Sequence, residues 1–278
     1  MELTGKVAIV TGSSRGIGRA YARALAGEGA TVVVTARTVT EPVVVAGGTA
    51  PSELQVKGGL AGSVETTASQ IRDADGTAIA LGCDVTNEDD VRNLLARVTD
   101  EVGKIDILVN NASVFPRGHY LEETQEQFDA VFHTNVLGMY LMCKHVLPHM
   151  ISRRAGSVIN ISNGGSTGTG ASRGTVTGRD LMFYNMSKAS INRMTTFLAD
   201  EVSEYGIAVN ALTPGIIKSD GMDDALGADF DYEKDTVTTI LPATVDVLGP
   251  PLLYLAKQTA NTFTGRYVMT PEWGKTWP

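Results

Sequence analysis

Short apolar runs alternate along this chain with longer segments whose apolar residues recur at the period of a helix. The runs are rich in valine and isoleucine and nearly continuously apolar, which is typical of parallel strands that helices cover on both faces. We predict strands at residues 7–10, 31–35, 78–81, 107–109, 157–161, 208–211 and 267–269. We predict helices at residues 17–27, 64–73, 88–102, 124–153, 184–205 and 245–257. This repeated order predicts the α/β class, with one doubly wound parallel sheet and helices on both of its faces.

Neither an internal repeat nor a linker divides the chain, so we expect a single domain over residues 1–278. Three long stretches, 38–63, 163–180 and 219–242, interrupt the alternation of strands and helices. Unusually long loops in a compact fold are usually either functional or disordered. The last two follow predicted strands and therefore leave the carboxyl edge of the sheet, where such folds bind ligands. We expect residues 219–242, which are rich in aspartate, to act as a lid.

Composition narrows the partners and the compartment. The net charge of −8 argues against nucleic acid and against an anionic membrane as partners. The two cysteines, Cys83 and Cys143, are too few for a disulfide framework. No signal peptide is recognised, nor an apolar stretch of about 20 residues, so we expect a cytoplasmic protein. His145 and His149 lack a third ligand at a recognisable spacing, and no metal site is expected.

A glycine-rich segment, TGSSRGIG at residues 11–18, follows the first predicted strand and opens the first predicted helix. Glycines allow a tight turn and the close approach of a pyrophosphate, and a helix N-terminus offers free N–H groups to the phosphates. This position predicts a dinucleotide site, although a tight turn without a ligand fits the same residues. The expected contacts are Gly12, Ser14, Arg15, Gly16, Ile17 and Gly18.

The end of the second predicted strand bears on the choice of dinucleotide. A carboxylate at this position accepts a hydrogen bond from the ribose 2′-hydroxyl of NAD. This chain has Ala36-Arg37 there instead, and Arg15 lies in the glycine-rich segment. Two guanidinium groups without an acid favour the 2′-phosphate of NADP. NAD remains the alternative, because either arginine also fits a simply solvated surface position.

Tyr184 and Lys188 stand four residues apart at the start of a predicted helix, so both lie on one helix face. A free phenol has a pKa near ~10, and a nearby ammonium lowers it. A phenol tuned in this way can protonate a carbonyl oxygen, or accept the proton of an alcohol. The alternative for the pair alone is a half-buried tyrosine beside a solvated lysine.

Together these features resemble the short-chain dehydrogenase/reductase family over nearly the whole chain. The residues that carry the resemblance are TGSSRGIG at 11–18, Cys83-Asp84-Val85, Asn110-Asn111-Ala112, Asn135, YNMSK at 184–188 and Pro214-Gly215. The chain is also similar to the hydroxysteroid-dehydrogenase-like subgroup, because Ser113 follows Asn-Asn-Ala and the loop after the second strand is long. The resemblance implies a Rossmann-type fold and an enzyme that acts on CH–OH groups, assembled as a homotetramer or homodimer.

The resemblance also implies roles for individual residues. Tyr184 would be the general acid/base, and Lys188 would hold the nicotinamide ribose and lower the pKa of the phenol. Asn135 would kink its helix and hold a water molecule in a proton relay, although a polar residue on a solvated helix face fits the same position. The remaining implied cofactor contacts are Asp84 and Val85 at the adenine, Asn111 and Ala112 near its ribose, and Pro214, Gly215, Ile217 and Ser219 at the nicotinamide.

One departure from the family concerns the serine that polarises the substrate oxygen. Asn163 aligns best with that position, and Ser162 or Ser166 takes the role if the loop shifts. An asparagine amide also donates hydrogen bonds to oxygen. The sequence therefore predicts an NADP(H)-dependent oxidoreductase that moves a hydride between nicotinamide and a small carbonyl or secondary alcohol. The competing hypothesis, motivated by the changed serine, is a dinucleotide-binding sensor or scaffold with little catalysis.

Overall fold

A computed structural model describes residues 1–40, 62–116, 118–166, 181–219 and 243–278. Its centre is a sheet of seven strands in the order β3-β2-β1-β4-β5-β6-β7. Every neighbouring pair of strands is parallel. The strands are β1 (Val7–Thr11), β2 (Thr31–Ala36), β3 (Thr77–Gly82), β4 (Ile107–Asn110), β5 (Gly156–Ile161), β6 (Ile207–Thr213) and β7 (Tyr267–Met269).

Helices cover both faces of this sheet. They are α1 (Gly16–Gly27), α2 (Val64–Arg72), α3 (Glu88–Val102), α4 (Gln125–Phe132), α5 (Gly138–Arg153), α6 (Met182–Val202) and α7 (Gly249–Ala256). Two clusters of buried side chains form the core: one joins the sheet to α1, α2 and α7, and the other joins it to α3, α5 and α6. The predicted fold class is therefore confirmed.

Strand β1 shows why a continuously apolar run is needed here. Successive side chains of a strand point to opposite faces of the sheet. Ala8 and Val10 accordingly belong to the first cluster, and Val7 and Ile9 belong to the second. Burial of each branched aliphatic side chain contributes about 1.5–3 kcal/mol before the entropy cost of folding. A strand that alternated apolar and polar residues would leave one of the two helical layers without a partner.

The predicted helix at 124–153 is interrupted in the structure. A capping box begins α4, in which the Thr124 hydroxyl accepts from Gln127 N and the Gln127 side chain accepts from Thr124 N. A π-helical segment, His133–Leu137, then separates α4 from α5, and Asn135 lies at its centre. Single π turns inside helices are frequent at functional sites. Periodicity alone predicts a continuous helix, because the interruption depends on side-chain hydrogen bonds to other elements.

The other helix boundaries agree with the predicted ones to within about one turn, and α3 has the predicted bounds. Helix α6 begins at Met182 rather than 184, and a 3-10 turn, Ser203–Tyr205, follows its end. A 3-10 turn, Val245–Leu248, precedes α7. Pro250 and Pro251 stand at the first positions of α7, where the missing backbone N–H groups cost little.

Strands β1 and β4 are neighbours at the centre of the sheet, although two strands separate them in the chain. The chain crosses to opposite sides of this point, which creates a crevice at the carboxyl ends of the two strands. Most of each long loop, and with it most of the predicted lid, lies outside the described residues. The parts left out are residues 41–61, 167–180 and 220–242. Within the described ranges, no helix is long and apolar enough to cross a membrane, and no three His, Cys, Asp or Glu residues cluster as metal ligands.

Candidate active site

The glycine-rich segment turns between β1 and α1 at the central crevice. Gly12 and Gly16 have positive φ angles of 64° and 55°, which glycine adopts without steric cost. A Cβ atom at Gly12 would lie 2.7 Å from the Ala112 Cα. A Cβ atom at Gly18 would lie 2.3 Å from the Gly12 carbonyl oxygen and 2.5 Å from the Asn111 Nδ2. Packing against the end of β4 therefore excludes a side chain at both positions.

Side chains of α1 and α2 hold the rest of the glycine-rich segment in place by hydrogen bonds. The Ser14 carbonyl accepts hydrogen bonds from Arg19 Nη2 at 2.8 Å and from Thr67 Oγ1 at 3.1 Å. Arg15 is the N-cap residue of α1, and its side chain makes no capping hydrogen bond. The first N–H groups of α1 are thus left for another acceptor, as at helix N-termini that bind phosphate. The roles of Arg19 and Thr67 were not predicted from the sequence, because the two residues lie far apart along the chain and no motif links them.

The end of β2 lies next to this segment. Ser13 Oγ donates to Val10 O at 2.6 Å and accepts from Thr35 N at 2.9 Å, which ties the turn to β2. Arg37 follows β2 and is exposed. Residues 37–40 carry no carboxylate. The described residues after β2 thus include the Arg37 guanidinium and no carboxylate, as the sequence indicated.

Asn111 and Ala112 lie under the glycine turn. Asn111 Nδ2 donates to Thr11 O at 2.9 Å and to Gly12 O at 3.1 Å. The backbone N–H groups of Asn111 and Ala112 donate to Thr11 Oγ1 at 2.9 and 3.0 Å. These bonds join the carboxyl ends of β1 and β4, so Asn111 supports the shape of the turn.

Asp84 and Val85 follow β3. Asp84 Oδ1 accepts from Thr86 N at 2.9 Å and from Thr86 Oγ1 at 2.8 Å, while Oδ2 receives no hydrogen bond from the described residues. Val85 is buried against Gly138, where a Cβ atom would lie 2.6 Å from the Val85 Cγ2. One carboxylate oxygen of Asp84 is thus available to a ligand.

Tyr184 and Lys188 lie on one face of α6. Lys188 is 1% exposed, and its Nζ donates to Ile161 O at 2.8 Å, at the carboxyl end of β5. Nζ is 5.4 Å from the centre of the Tyr184 ring, which packs against Phe115 at 5.6 Å. The phenol hydroxyl hydrogen-bonds to none of the described residues.

The electrostatics of this pair differ from the expectation. Burial lowers the pKa of Lys188 from 10.5 to about 7. Burial also raises the pKa of Tyr184 above its usual value, whereas the resemblance implied a lowering by Lys188. The physical reason is the removal of water, which disfavours the charged form of each group.

Asn135 uses its whole side-chain amide within the protein. Its Oδ1 accepts from Val114 N at 2.9 Å and from Ser113 Oγ at 3.1 Å. Its Nδ2 donates to Val114 O and to Ser187 Oγ, each at 3.0 Å. Ser187 in turn donates to Tyr184 O at 2.7 Å, a link from the π-helical segment to α6 that the sequence did not suggest. Two donors and two acceptor sites are an amide's full capacity, so the Asn135 side chain is not free to hold a water molecule.

The three candidates for polarising the substrate oxygen lie close together, with the Ser162 and Ser166 hydroxyls 3.3 Å apart, but their side chains have different hydrogen-bond partners. Ser162 Oγ donates to Asn192 Oδ1 at 2.6 Å, farther along α6. Ser166 Oγ donates to Asn163 O at 2.6 Å. Only the Asn163 amide contacts the start of α6, where its Nδ2 donates to Asn185 Oδ1 at 2.9 Å, next to Tyr184.

The segment after β6 supplies the remaining predicted contacts. Pro214 and Ile217 are buried, and Ser219 is partly exposed. Gly215 has a φ of 86°, and a Cβ atom there would lie 2.9 Å from the Pro271 Cγ. Ser219 is the last described residue before residues 220–242.

The sequence has relatives among named enzymes. It matches the family described as short chain dehydrogenase over residues 6–49 and 50–229. A 3-oxoacyl-(acyl-carrier-protein) reductase of Vibrio harveyi is 34% identical over 280 residues, covering 97% of this chain and 100% of the reductase. A fluoren-9-ol dehydrogenase of Terrabacter sp. is 30% identical over 283 residues, covering 98% of this chain and 72% of the relative.

Solved structures resemble the fold over the same extent. A putative NAD(P)-dependent gluconate 5-dehydrogenase from Beutenbergia cavernae with bound NADP has a TM-score of 0.79 at 26% identity, over 98% of each chain. A gluconate 5-dehydrogenase from Burkholderia cenocepacia in complex with NADP and tartrate has a TM-score of 0.75 at 25% identity, over 96% of this chain and 94% of that one.

Proposed function

This chain belongs to the short-chain dehydrogenase family, and we propose that it is an NADP(H)-dependent oxidoreductase that transfers a hydride between nicotinamide and a carbonyl or secondary alcohol. The observation that carries the proposal is the pair of Tyr184 and Lys188 on α6. The Lys188 amine is bonded to the carboxyl end of β5 and lies 5.4 Å from the phenol ring. The proposed substrate is a small molecule.

The residues present fit a dinucleotide phosphate. Glycine at positions 12 and 18 lets the turn pack closely on the end of β4, because a Cβ atom would lie 2.7 Å from Ala112 Cα at the first position and 2.5 Å from Asn111 Nδ2 at the second. This packing brings the turn and the N-terminus of α1 to the central crevice. In the proposal, Ser14, Gly16 and Ile17 offer the backbone of the turn and of the first turn of α1 to the pyrophosphate. NADP in the structures of similar proteins supports the choice of cofactor.

Charged groups complete the proposed cofactor site. Arg15 and Arg37 would bind the 2′-phosphate. The Asp84 Oδ2, which has no partner among the described residues, would accept from the adenine amino group. Val85, Asn111 and Ala112 would line the adenosine side, and Pro214, Gly215, Ile217 and Ser219 the nicotinamide side.

The reduced cofactor supplies the hydride when it is bound. Tyr184 donates its phenol proton to the substrate oxygen as that oxygen gains charge, and takes the proton back in the oxidation direction. Lys188 in its charged form stabilises the phenolate that remains. Asn163 polarises the same oxygen through the second hydrogen of its Nδ2, since the first is donated to Asn185 Oδ1.

Further parts of the proposal, namely the domain, the lid, the compartment and the assembly, rest on the sequence predictions alone. Residues 1–278 form one domain, residues 219–242 close over the substrate and exclude water, and the protein is a cytoplasmic homodimer or homotetramer.

A tyrosine substitution tests the proposed chemistry. Tyr184→Phe should lower the rate of carbonyl reduction by about 10²–10⁴-fold, because it removes the proton donor. NADPH binding should change by no more than a few-fold, because the phenylalanine ring keeps the packing against Phe115. The measurement is the loss of NADPH absorbance over a panel of carbonyl compounds, with NADPH affinity determined by fluorescence.

Tyr140→Phe is the matched control, since Tyr140 lies on α5 and is 47% exposed. This control should turn over substrate like the parent protein. Full turnover by Tyr184→Phe would exclude the mechanism. Tight NADPH binding by the parent protein without turnover on any panel member would favour the sensor or scaffold instead.

A further inference from the structure

Asn163 lies one residue beyond the hydrogen bonds that pair β5 with β6. The register of the two strands ends at Ile161, and the last bond that continues it among the described residues runs from Ser162 N to Leu212 O at 2.9 Å. The sheet therefore does not fix the backbone of Asn163. Other bonds must set its direction, which matters because the Asn163 amide is the group proposed to polarise the substrate oxygen.

The backbone carbonyl of Asn163 is the point at which those other bonds meet. It accepts from Ser166 Oγ at 2.6 Å, from Tyr267 OH at 3.0 Å and from Ser166 N at 3.3 Å. Ser166 lies in the 3-10 turn that follows Asn163, so its bonds are local. Tyr267 lies 104 positions away along the chain. Its hydroxyl is thus the bond that ties this turn to a distant strand.

Tyr267 reaches the turn across β6. It belongs to β7, where it pairs with Ala211 of β6, and β5 lies on the far side of β6. Two strand spacings separate β7 from β5, about 9–10 Å. Its neighbour Val268 belongs to the first core cluster, so the Tyr267 side chain points to the opposite face, which α6 covers. A long side chain with a terminal hydroxyl is needed to bridge this gap.

The direction of the Tyr267 bond is fixed by its second partner. Thr213 Oγ1 is 2.8 Å from the Tyr267 hydroxyl and donates to it. A phenol has one proton, and a carbonyl oxygen can only accept. Tyr267 therefore accepts from Thr213 and donates to Asn163 O. Thr213 is the last residue of β6, so the chain of bonds runs from the end of β6 through β7 to the end of β5.

A second chain of bonds reaches the same carbonyl from α6. Ser162 Oγ donates to Asn192 Oδ1 at 2.6 Å, and Asn192 Nδ2 donates to Ser166 Oγ at 2.7 Å. Ser166 then donates to Asn163 O. Each hydroxyl in this chain gives its one proton to the next group. The carbonyl is thus held from two sides, by α6 through Ser166 and by β7 through Tyr267.

The side chain of Asn163 has little support of its own. Its Nδ2 donates to Asn185 Oδ1 at 2.9 Å, and its Oδ1 has no hydrogen-bond partner among the described residues. One hydrogen bond leaves an amide free to pivot about that contact. The position of this amide next to Tyr184 consequently depends on how firmly the backbone of Asn163 is held.

We propose that Tyr267 is a positioning residue for carbonyl reduction. Its hydroxyl holds the backbone of Asn163 at the end of β5, so that the Asn163 amide faces the substrate oxygen beside Tyr184. Tyr267 itself does not contact the substrate. Without this hydroxyl, the bonds to Ser166 remain, and the turn can move as a unit away from Tyr184. The inference rests on the proposed role of Asn163 in polarising the substrate oxygen.

The first test compares variants of two tyrosines. Tyr267→Phe removes the hydroxyl and keeps the ring, and it should lower kcat for carbonyl reduction by about five- to tenfold, the usual effect of one hydrogen bond. The KM for NADPH should change by no more than about twofold, because the residues proposed to bind phosphate lie elsewhere. Tyr205→Phe is the control, since Tyr205 lies in the turn after α6, with its ring beside Arg154. It should leave kcat unchanged.

A double-mutant cycle separates positioning from a general structural role. In an Asn163→Ala background the amide is absent, so Tyr267→Phe should then alter kcat by no more than about twofold. An equal loss of kcat in both backgrounds would contradict the proposal, and so would an unchanged kcat for Tyr267→Phe alone. If Tyr267→Phe does not fold, Asn192→Ala is judged by the same cycle, because it weakens the other chain of bonds to the Asn163 carbonyl.

The second test is a crystal structure of the full-length Tyr267→Phe variant beside that of the parent protein, and it does not depend on catalysis. We expect the Asn163 amide to shift and its bond to Asn185 to lengthen or break. An Asn163 side chain in the same place in both structures would overturn the proposal. If the parent protein reduces no carbonyl compound, the proposed function fails, and this structural comparison still decides whether Tyr267 positions Asn163.

Discussion

Burial of the Lys188 amine lowers the stability of the fold, and the same burial sets the pKa of this amine for its proposed role. Lys188 is among the largest fully buried side chains, and its neighbours in the described part of the chain offer one hydrogen bond and no counter-charge. Burial accordingly lowers its pKa to about 7. An amine with this pKa is partly charged at neutral pH, and its charged form is the one that we propose to stabilise a phenolate. The cost and the chemistry have the same origin, the lack of water around Nζ.

This cost should appear as a pH-dependent stability. Because the folded pKa of about 7 lies below the ordinary 10.5, the unfolded chain binds more protons between these values. The stability of the parent protein should therefore rise as pH increases through this window, and the full penalty should remain below pH 7. Lys188→Met removes the contribution, which is on the order of a few kcal/mol. Relative to the parent, the variant should gain most below pH 7 and least near pH 10.

Urea unfolding at several pH values measures this difference. Lys275→Met serves as the control, since Lys275 is exposed and donates only to Pro271 O. A difference between Lys188→Met and the parent that is constant over pH would mean that Lys188 is not held neutral in the fold. The lost bond to Ile161 O shifts the whole curve but does not change its slope.

At the scale of single residues, the sequence indicated which residues are candidates for the site better than it indicated their hydrogen bonds and burial. The spacing of Tyr184 and Lys188 was enough to put them on one helix face. The saturation of the Asn135 amide was not predictable, because it depends on Ser113 and Ser187 from two other elements. The hydrogen bonds around Asn110 likewise cross between elements, because Asn110 of β4 donates to Asn160 of β5, which donates to Thr195 of α6.

The strand-turn-helix unit of β1 and α1 is the element most tightly constrained by packing. Gly18 stands one turn into α1, where the helix touches both the Gly12 carbonyl and the Asn111 amide. A methyl group there must push the N-terminus of α1 away from the end of β4. The N–H groups proposed to bind phosphate would move with it.

Two glycines of this one helix make a matched comparison. Gly18→Ala should weaken NADPH binding by at least about tenfold and lower the unfolding free energy by about 1–3 kcal/mol, as overpacking does. Gly27→Ala should leave binding unchanged and alter stability by no more than about 1 kcal/mol, because no atom lies within 4 Å of its Cβ position. Fluorescence titration and urea unfolding measure both effects. Equal NADPH affinities in the two variants would contradict the proposed phosphate site.

Element boundaries show where periodicity stops being informative. The start of α4 could be predicted from the sequence, and the predicted helix does begin there, at Thr124 and Gln125. The π-helical segment could not be predicted, because the apolar period continues through it from α4 into α5. The kink expected at Asn135 came from the family resemblance rather than from the pattern.

At the scale of the whole molecule, the alternation of apolar runs with helical segments predicted the class of fold. It did not determine the order of the strands, which depends on crossovers. That order brings the ends of β1 and β4 together, so that Thr11 bonds to the backbone of Asn111 and Ala112 about a hundred positions away. The register of β4 on β5 likewise pairs Asn110 with Asn160. The candidate site is a product of topology, and sequence motifs identify its residues without giving their contacts.

The central claim, an NADP(H)-dependent oxidoreductase, is tested most directly by titrating the full-length protein with NADPH and NADH and following nicotinamide fluorescence. The account predicts tighter binding of NADPH, because it assigns Arg15 and Arg37 to the 2′-phosphate and because no carboxylate occurs at residues 37–40. Arg37→Asp should reduce or reverse that preference. Binding of neither dinucleotide would contradict the account as a whole, and tighter binding of NADH would contradict its choice of cofactor.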